Sequence, residues 1–428
     1  MKGRLLSIGF GTAVAMWGIG YLARLPVVLA PPAVVLVLLL LAQLGGGFIA
    51  GRFGPGGARD GAGAGALTGL LNLLVLGSFL SAHDRTNALV PSALVWLPGS
   101  IAVSIALGGL GGLLGARGRD PRRAEPDWTA ALARVAVAAT FLLLVAGGLV
   151  TSNQAGLAVA DWPSSYGYNM FLYPFARMTG GIYYEHAHRL LGALVGLTTV
   201  ALAAHLTFAE TRGWVKRMAY AAVVLVIAQG ILGGLRVTEK NVALAVVHGV
   251  TAQVFFSLLV ALAVLCSRGW RDSREGFDPA ATAADRRWTG LAIGALLVQI
   301  VLGALQRHLA IVLMLHIGFA FVAGWLAISA GVRAWGRHEG DRRIGRAGLT
   351  VVYVTGAQLA LGFGAWIARS AAASGALSPE WKIVLTTAHQ GTGALLLASA
   401  VRLRAWLGSG RPQSVAVGFA SAGQPKSA

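Results

Sequence analysis

A glutamate, two histidines and an arginine stand together at the start of an apolar segment. The segment reads GGIYYEHAHRLLGALVGL and covers residues 180–197. Glu185 and His188 are three residues apart, so a helix would place them on one face. A carboxylate can move a proton, and a neutral imidazole can bind a metal ion. The spacing therefore predicts acid or base chemistry beside a metal or a metal-bearing cofactor.

Single histidines recur at one point of an internal repeat. The segments LLVAGGLV, AQGILGGLR, VQIVLGALQ and AQLALGFGA each end an outward-running helix, and the helix that returns carries a histidine near its outer mouth. These histidines are His188, His248, His316 and His389. Ionisable residues inside membrane spans are costly and usually mark function. Four of them at matching positions are difficult to explain as packing residues.

The four histidines form two candidate pairs of axial ligands for haem iron. Facing imidazoles in a helical bundle suit this role, and pairing within each half joins His188 with His248 and His316 with His389. The chain has no C-x-x-C-H motif, so the haems would not be attached by thioether bonds. Zinc is the competing interpretation, but its closed sites favour tetrahedral clusters with acids or thiolates.

Glu185 has no counterpart in the other three repeats, which makes the two pairs unequal. We expect the first pair to form a reactive site with Glu185 as acid or base, and the second to hold a permanent haem for structure or electron transfer. The alternative is that Glu185 only pairs with Arg189, four residues later, and Arg189 could equally bind a haem propionate. Solvated or hydrogen-bonding positions at surfaces, loops and span ends are predicted for His83, His186, His205, His308 and His338.

The composition is that of a polytopic membrane protein. Of 428 residues, 56% are hydrophobic and 12% are charged, whereas soluble domains have about a quarter charged residues. Apolar windows of about 20 residues, enough to span a bilayer, recur along the chain. Twelve are predicted, at residues 5–24, 27–50, 63–81, 91–115, 130–150, 184–207, 215–235, 242–265, 289–306, 309–332, 347–367 and 382–404. The prediction is an all-α fold with about twelve transmembrane helices.

The net charge of +19 predicts topology rather than nucleic-acid binding. The basic residues fall in short loops, such as ARGRDPRRAEPDW and RAWGRHEGDRRIGR, that alternate with weakly charged loops. By the positive-inside rule, both termini lie in the cytoplasm and the protein is a multi-pass protein of the cell membrane. The single cysteine, Cys266, excludes an intramolecular disulfide and a cysteine metal site.

An arginine-rich segment at 116–128 separates two unlike regions. Residues 1–115 form a predicted N-terminal four-helix membrane module of unknown role. Residues 129–266 and 288–406 form two pseudo-symmetric four-helix halves, and residues 407–428 a disordered cytoplasmic tail. The longest outer connection, TSNQAGLAVADWPSSYGYNMFLYPFARMTGG, is predicted to fold over the bundle mouth as a lid, or alternatively to form an interfacial aromatic belt.

The motifs resemble those of the heme A synthase family of cytochrome oxidase assembly proteins. The similarity covers residues 129 to about 406, and its specific parts are the E-x-x-H-R element and the loop G-L-x-V-x-D-W-P. It implies an eight-helix bundle of two similar halves. It also implies a membrane oxidoreductase that oxidises a ring methyl of haem O, through a hydroxymethyl stage, to the formyl group of haem A.

The resemblance also implies roles for individual residues. By motif position, Glu185, His188 and His248 would belong to a haem O substrate site in residues 129–266. His316 and His389 would ligate the iron of a haem b cofactor in residues 288–406, through which electrons would leave. Glu185 would assist proton removal or stabilise positive charge on the reacting carbon.

Two departures from the family pattern limit the comparison. Many relatives carry a cysteine pair in an outer loop, and its absence here excludes a thiol-based step. Residues 1–115 have no place in the eight-helix pattern and could stabilise the bundle, dock a partner or contact the haem O synthase that supplies substrate. Two other classes stay open: a di-haem electron-transfer protein without substrate chemistry, and a transporter with a histidine proton relay.

Overall fold

The chain folds as a helical bundle in which all predicted spans are present. The computed structural model describes residues 2–82, 85–120, 122, 124–272, 279–338 and 340–408. These residues form thirteen α-helices and no strand of a β-sheet. The helices are α1 Lys2–Ala23, α2 Pro32–Phe53, α3 Ala58–Phe79, α4 Ala93–Arg117, α5 Trp128–Ser152, α6 Gly180–Ala209, α7 Gly213–Thr238, α8 Val242–Leu265, α9 Arg268–Arg271, α10 Pro279–Leu309, α11 Leu313–Arg337, α12 Arg342–Ala373 and α13 Pro379–Trp406.

The prediction of an all-α, multi-pass membrane protein is confirmed. Within the described residues, eleven helices are long and apolar enough to cross a membrane. The twelfth predicted span corresponds to α13, whose hydropathy is reduced by polar residues such as Lys382, His389 and Gln390. The second span begins later than predicted because Pro32 occupies its first turn, where a missing backbone N–H costs nothing.

The two halves are closed rings of four helices. In the first half, α5 packs on α6, α6 on α7, α7 on α8 and α8 on α5. The second half repeats this order with α10 to α13. The rings meet where α5 and α8 contact α13 and where α8 contacts α10. Two of the four histidine-bearing helices, α8 and α13, therefore lie at the junction of the halves.

The first four helices form a compact unit that lies against the first half. Small residues let α2, α3 and α4 approach backbone to backbone, since a methyl group at Gly47, Gly51 or Gly61 would collide with the carbonyl of Gly108 or Gly112. Through α1, the unit packs on α5 and α6. We call α1–α4 the N-terminal module.

The two ends of the bundle differ in their polar contacts. We call the end with the 153–179 connection the outer end and the other the inner end. At the inner end, Asp127 caps α5 by accepting from the Ala130 amide, and it also accepts from the Arg268 amide at 2.7 Å and pairs with Arg271 at 3.1 Å. These contacts tie α5 to α9. The predicted tail at 407–428 lies outside the described residues from 409 onward.

Candidate functional site

Each of the four repeated histidines packs its imidazole against a glycine of the preceding helix. The pairs are His188 with Gly147, His248 with Gly233, His316 with Gly303 and His389 with Gly362. A Cβ added at those glycines would lie 3.0, 3.2, 3.0 and 2.8 Å, respectively, from the Cε1 atom of the histidine. A side chain at any of the four positions would therefore press on the ring. We call these four glycines the imidazole seats.

The ring orientation is the same in all four repeats. Nδ1 lies closer than Nε2 to the seat in every case. The ring also interacts with a backbone carbonyl one helical turn before the seat, at Leu143, Gln229, Gln299 and Gln358. Nδ1 of His188, His248 and His389 is buried and forms no well-aligned hydrogen bond. The contacts between these rings and the carbonyls are therefore electrostatic.

The orientation of the rings leaves one nitrogen for a ligand. Cε1 is the ring atom nearest the seat in each repeat, and because Nδ1 lies beside a carbonyl of the preceding helix, Nε2 is the nitrogen left for a ligand. In the second half, the Gln299 side chain adds a contact of 3.1 Å to Nδ1 of His316 and donates to its carbonyl at 2.9 Å. Fixing one imidazole nitrogen in this way is how proteins orient the other toward a metal.

The structure places the rings of His316 and His389 next to each other. The ring centres of His316 and His389 are 6.3 Å apart, and the ring planes are 85° from parallel. Two imidazoles that bind one metal from opposite sides at about 2 Å have centres roughly 6 Å apart. His188 and His248, the pair in the first half, lie close enough for a charge on one ring to affect the other. Within the described residues, no group of three or more His, Cys, Asp or Glu side chains could hold a metal ion. A tetrahedral zinc site therefore fits the described geometry less well than two-ligand sites do.

Glycines that follow the histidines leave open space beside the rings. A Cβ at Gly192, Gly196, Gly249 or Gly318 would meet no atom within 4 Å. Gly192 and Gly196 follow His188 by four and eight residues, which keeps them near its face of α6. A flat macrocycle fits such a face. Gly393 differs from these four, since its Cβ would lie 3.1 Å from the Gln358 side chain.

Arginines lie near the outer end, beyond the imidazole seats. Arg236 donates to the Gly156 carbonyl at 2.6 Å. Arg307 donates to the Ser152 hydroxyl at 2.8 Å and to the Gly148 carbonyl at 3.3 Å, and its Nε is enclosed without a hydrogen bond. Among the described residues no carboxylate pairs with Arg307. Such guanidinium groups could hold the carboxylates of a bound ligand.

Glu185 and Arg189 are fixed by the outer connection. Glu185 is 4% exposed, and its carboxylate accepts from the Val159 amide at 2.9 Å and from Arg189 at 3.0 Å. Arg189 also donates to the carbonyls of Val159, Asp161 and Ser164, at 2.9, 2.8 and 3.0 Å. The structure thus contains the ion pair between Glu185 and Arg189. A contact between Arg189 and a haem propionate stays a prediction.

Asp161 stabilises the turn at residues 161–167, next to the backbone that Glu185 and Arg189 bind. Its carboxylate accepts from the Ser164 hydroxyl at 2.6 Å and from the amides of Tyr166 and Gly167 at 2.6 and 2.8 Å. Desolvation alone would raise the pKa of Asp161, but the hydrogen bonds outweigh this effect, so the pKa lies below its ordinary value. The carboxylate therefore stays ionised and the turn keeps its shape at neutral pH.

Two of the remaining histidines differ from the prediction. His186 is fully buried, not at the surface, because its ring packs on Tyr173 and its Nδ1 lies 3.1 Å from the Ser165 hydroxyl. His338 is also buried, and its Nε2 lies 2.9 Å from Asp285. The sequence around each histidine gave no sign of these tertiary partners.

The other three histidines lie near helix ends or outside the described residues. His205 lies 3.0 Å from the Thr129 hydroxyl at the inner end. His308 is partly buried near the outer end of α10, and His83 lies outside the described residues.

One segment of the chain is similar to a known protein family. Residues 130–312 match the family model COX15-CtaA, described as a cytochrome oxidase assembly protein. The match covers less than half of the 428 residues, so it shows a similarity of this segment to that family. It contains Glu185, His188 and His248, and it ends before His316 and His389. No curated protein matches the chain. The match therefore covers the first half and α10, and α11 to α13 lie outside it.

Proposed function

We propose that the protein is a heme A synthase, a membrane oxidoreductase that oxidises a ring methyl of haem O to the formyl group of haem A for cytochrome oxidase assembly. The observation that carries the proposal is the place of the matched segment in the fold. The match to a cytochrome oxidase assembly family covers the half in which His188, His248 and Glu185 lie together.

The residues present fit two haem groups. Each half offers two histidines with Nε2 left for a ligand, and the ring centres of His316 and His389 lie 6.3 Å apart, a spacing that suits two ligands of one iron. Open space beside Gly192 and Gly318 suits a flat ring. In the proposal, His188 and His248 hold haem O as substrate, and His316 and His389 hold haem b. Bound haem b would supply a redox centre that accepts electrons.

The first half supplies the groups that act on substrate. Glu185 stands near the outer end, one helical turn before His188, in a site from which bulk water is largely excluded by the 153–179 connection. In this position a carboxylate can accept a proton or stabilise positive charge that develops on the substrate carbon. Arg236, which interacts electrostatically with Glu185, is placed to hold a carboxylate of the substrate.

A di-haem electron-transfer protein is the second candidate. The observation in its favour is that both carboxylate oxygens of Glu185 already accept hydrogen bonds from Val159 and Arg189. In this alternative, Glu185 serves only to hold the outer connection. The histidine pairs would then carry electrons without acting on a haem methyl.

Extraction of the bound haems separates the candidates. The chain is expressed in a haem-replete host that also makes haem O, and the pigments of the purified protein are separated by chromatography. Haem A together with haem b supports the synthase. Haem b at full loading without haem A would refute it in favour of electron transfer, and a protein with no Soret absorption would favour the transporter.

A further inference from the structure

The N-terminal module reaches the outer connection as well as the helices of the first half. The tip of α3 packs on the connection near residues 170–177, and α1 packs on α6. The family match begins at residue 130, so it assigns no role to these first four helices. The contacts themselves indicate what the module does.

Polar contacts fix the middle of the connection to the module. Asn87 accepts a hydrogen bond of 2.6 Å from the Asn169 amide. Ser78, at the outer end of α3, donates to the Phe171 carbonyl at 3.3 Å. A side chain at Gly77 would collide with that same carbonyl, so the glycine allows the close approach.

Aromatic contacts extend the same interface. The rings of Phe79 and Phe175 are stacked with centres 4.1 Å apart, and the Arg24 guanidinium lies 5.4 Å from the Phe175 ring centre. At the start of α6, the Tyr183 hydroxyl donates to the Tyr21 carbonyl at 2.7 Å, and the two rings stack at 5.8 Å. Contacts from α1 and from α3 therefore converge on one stretch of chain.

The other part of the connection is fixed to the reactive half. Glu185 and Arg189 bind the backbone of residues 159–164, and Arg236 binds the Gly156 carbonyl. Trp162 packs so closely on α7 that a side chain at Gly234 would collide with its ring. The connection therefore has two anchored parts, residues 156–164 on the site and residues 169–175 on the module.

We propose that the N-terminal module is a positioning element for the substrate site. By holding residues 169–175 of the connection, it keeps residues 156–164 in the place where they orient Glu185 and Arg189. Phe79 and Asn87 are the positioning residues in this arrangement, and they act through the connection rather than on the substrate. The effect on haem O rests on the proposed function, whereas the effect on the connection rests on the contacts alone.

Proteolysis of the full-length protein tests the structural part. Arg177 is the only lysine or arginine in residues 153–179, so trypsin cleavage there reports opening of the connection. We expect Phe79→Ala and Asn87→Ala to raise the rate of cleavage after Arg177 about five-fold, in proportion to the population of the opened state. Phe79→Tyr, which keeps the ring stack, should restore the rate of the unmodified protein.

A matched control comes from the lipid-facing side of the same module. Trp96 on α4 is an aromatic residue that is 61% exposed, so Trp96→Ala should leave cleavage unchanged. The haem b Soret absorbance of each variant reports whether the second half is folded. Equal cleavage rates in Phe79→Ala, Asn87→Ala and Trp96→Ala would overturn the proposal.

The haem A yield tests the functional part. Phe79→Ala should lower haem A formed from haem O about five-fold while haem b content stays unchanged, and Phe79→Tyr should restore it. Faster cleavage with an unchanged haem A yield would overturn the link to the substrate site. If the unmodified protein forms no haem A, the proposed function fails, but the cleavage comparison still decides whether the module holds the connection.

Discussion

The two four-helix halves hold their histidines in the same way but surround them with different groups. In both, an imidazole rests on a glycine seat through Cε1, and the ring lies beside a carbonyl one helical turn before the seat. Among the described residues, only the first half has a buried acid one helical turn before a seated histidine, and its connection between α5 and α6 is far longer than the equivalent link at 310–312 between α10 and α11. The helix pairs therefore supply the histidines in both halves, and the loops account for the difference between the two sites.

Replacing a histidine should have the largest effect, and the effect on haem b content should differ between the two halves. We expect His389→Ala to lower the haem b content more than about ten-fold, because an axial ligand is lost, whereas His248→Ala should leave haem b in place. The Soret absorbance of the purified variants measures this directly. Equal loss of haem b in both variants would show that the halves do not bind separate haems.

Neutralising the acid should affect one half alone. Glu185→Gln should lower haem A formation by about 100-fold or more, because the proton acceptor is lost, with haem b content unchanged. Chromatography of extracted haems measures both pigments. The matched control is Glu380→Gln, which neutralises an exposed acid at the start of α13 and should be silent. Unimpaired haem A formation in Glu185→Gln would contradict the assigned role.

Filling a seat should weaken the ligand that rests on it. Gly362→Ala brings a Cβ to 2.8 Å from the His389 ring, and we expect about ten-fold weaker retention of haem b because the imidazole must shift. Gly356→Ala on the same helix meets no atom within 4 Å and should be neutral. Haem release during dilution gives the rates. The matching pair in the first half, Gly233→Ala and Gly230→Ala, should change haem O binding instead.

Arg307 offers a smaller test of the second half. Arg307→Gln should weaken haem b binding about five-fold, because a guanidinium without a described acid partner is suited to a propionate. Arg346→Gln, at an exposed position near the inner end of α12, is the control. Haem titration of the apoprotein measures the affinity. An unchanged affinity would place the propionates elsewhere.

The smallest effect expected is on stability at low pH. Side-chain hydrogen bonds from Arg212 lower the pKa of Glu210 to about 2, against an ordinary value of 4.5. Because the folded pKa is the lower one, the stabilisation is complete above pH 4.5 and is lost as the pH falls from there toward 2. Thermal unfolding of Glu210→Gln should therefore differ from the unmodified protein at pH 7 and converge with it as the pH approaches 2.

Much of the architecture was predictable because it follows from local patterns. Apolar windows gave all twelve long helices, and the recurrence of single histidines gave the two halves. The repeated segments also contain the seats, at Gly147, Gly233, Gly303 and Gly362. These segments reveal the repeat, but the pattern did not predict that each glycine contacts a histidine. Gln229, Gln299 and Gln358 recur four residues before a seat. This recurrence in the sequence also marks the helical turn that lies beside the histidine ring.

Tertiary contacts were not predictable from these patterns. The buried positions of His186 and His338 depend on Ser165 and Asp285, which lie 21 and 53 residues away along the chain. The same holds for the module, whose contacts with the outer connection and the start of α6 join residues up to 162 positions apart. Periodicity reports which face of a helix is apolar, but it does not report which distant loop covers that face.

The division of work between the halves is tested most directly by the haems that two double variants retain. The variant His188→Ala with His248→Ala is compared with His316→Ala and His389→Ala, both expressed with a source of haem O. The account predicts that the first variant keeps haem b and contains neither haem O nor haem A, and that the second lacks haem b. Loss of haem b from the first variant and its retention in the second would contradict the account.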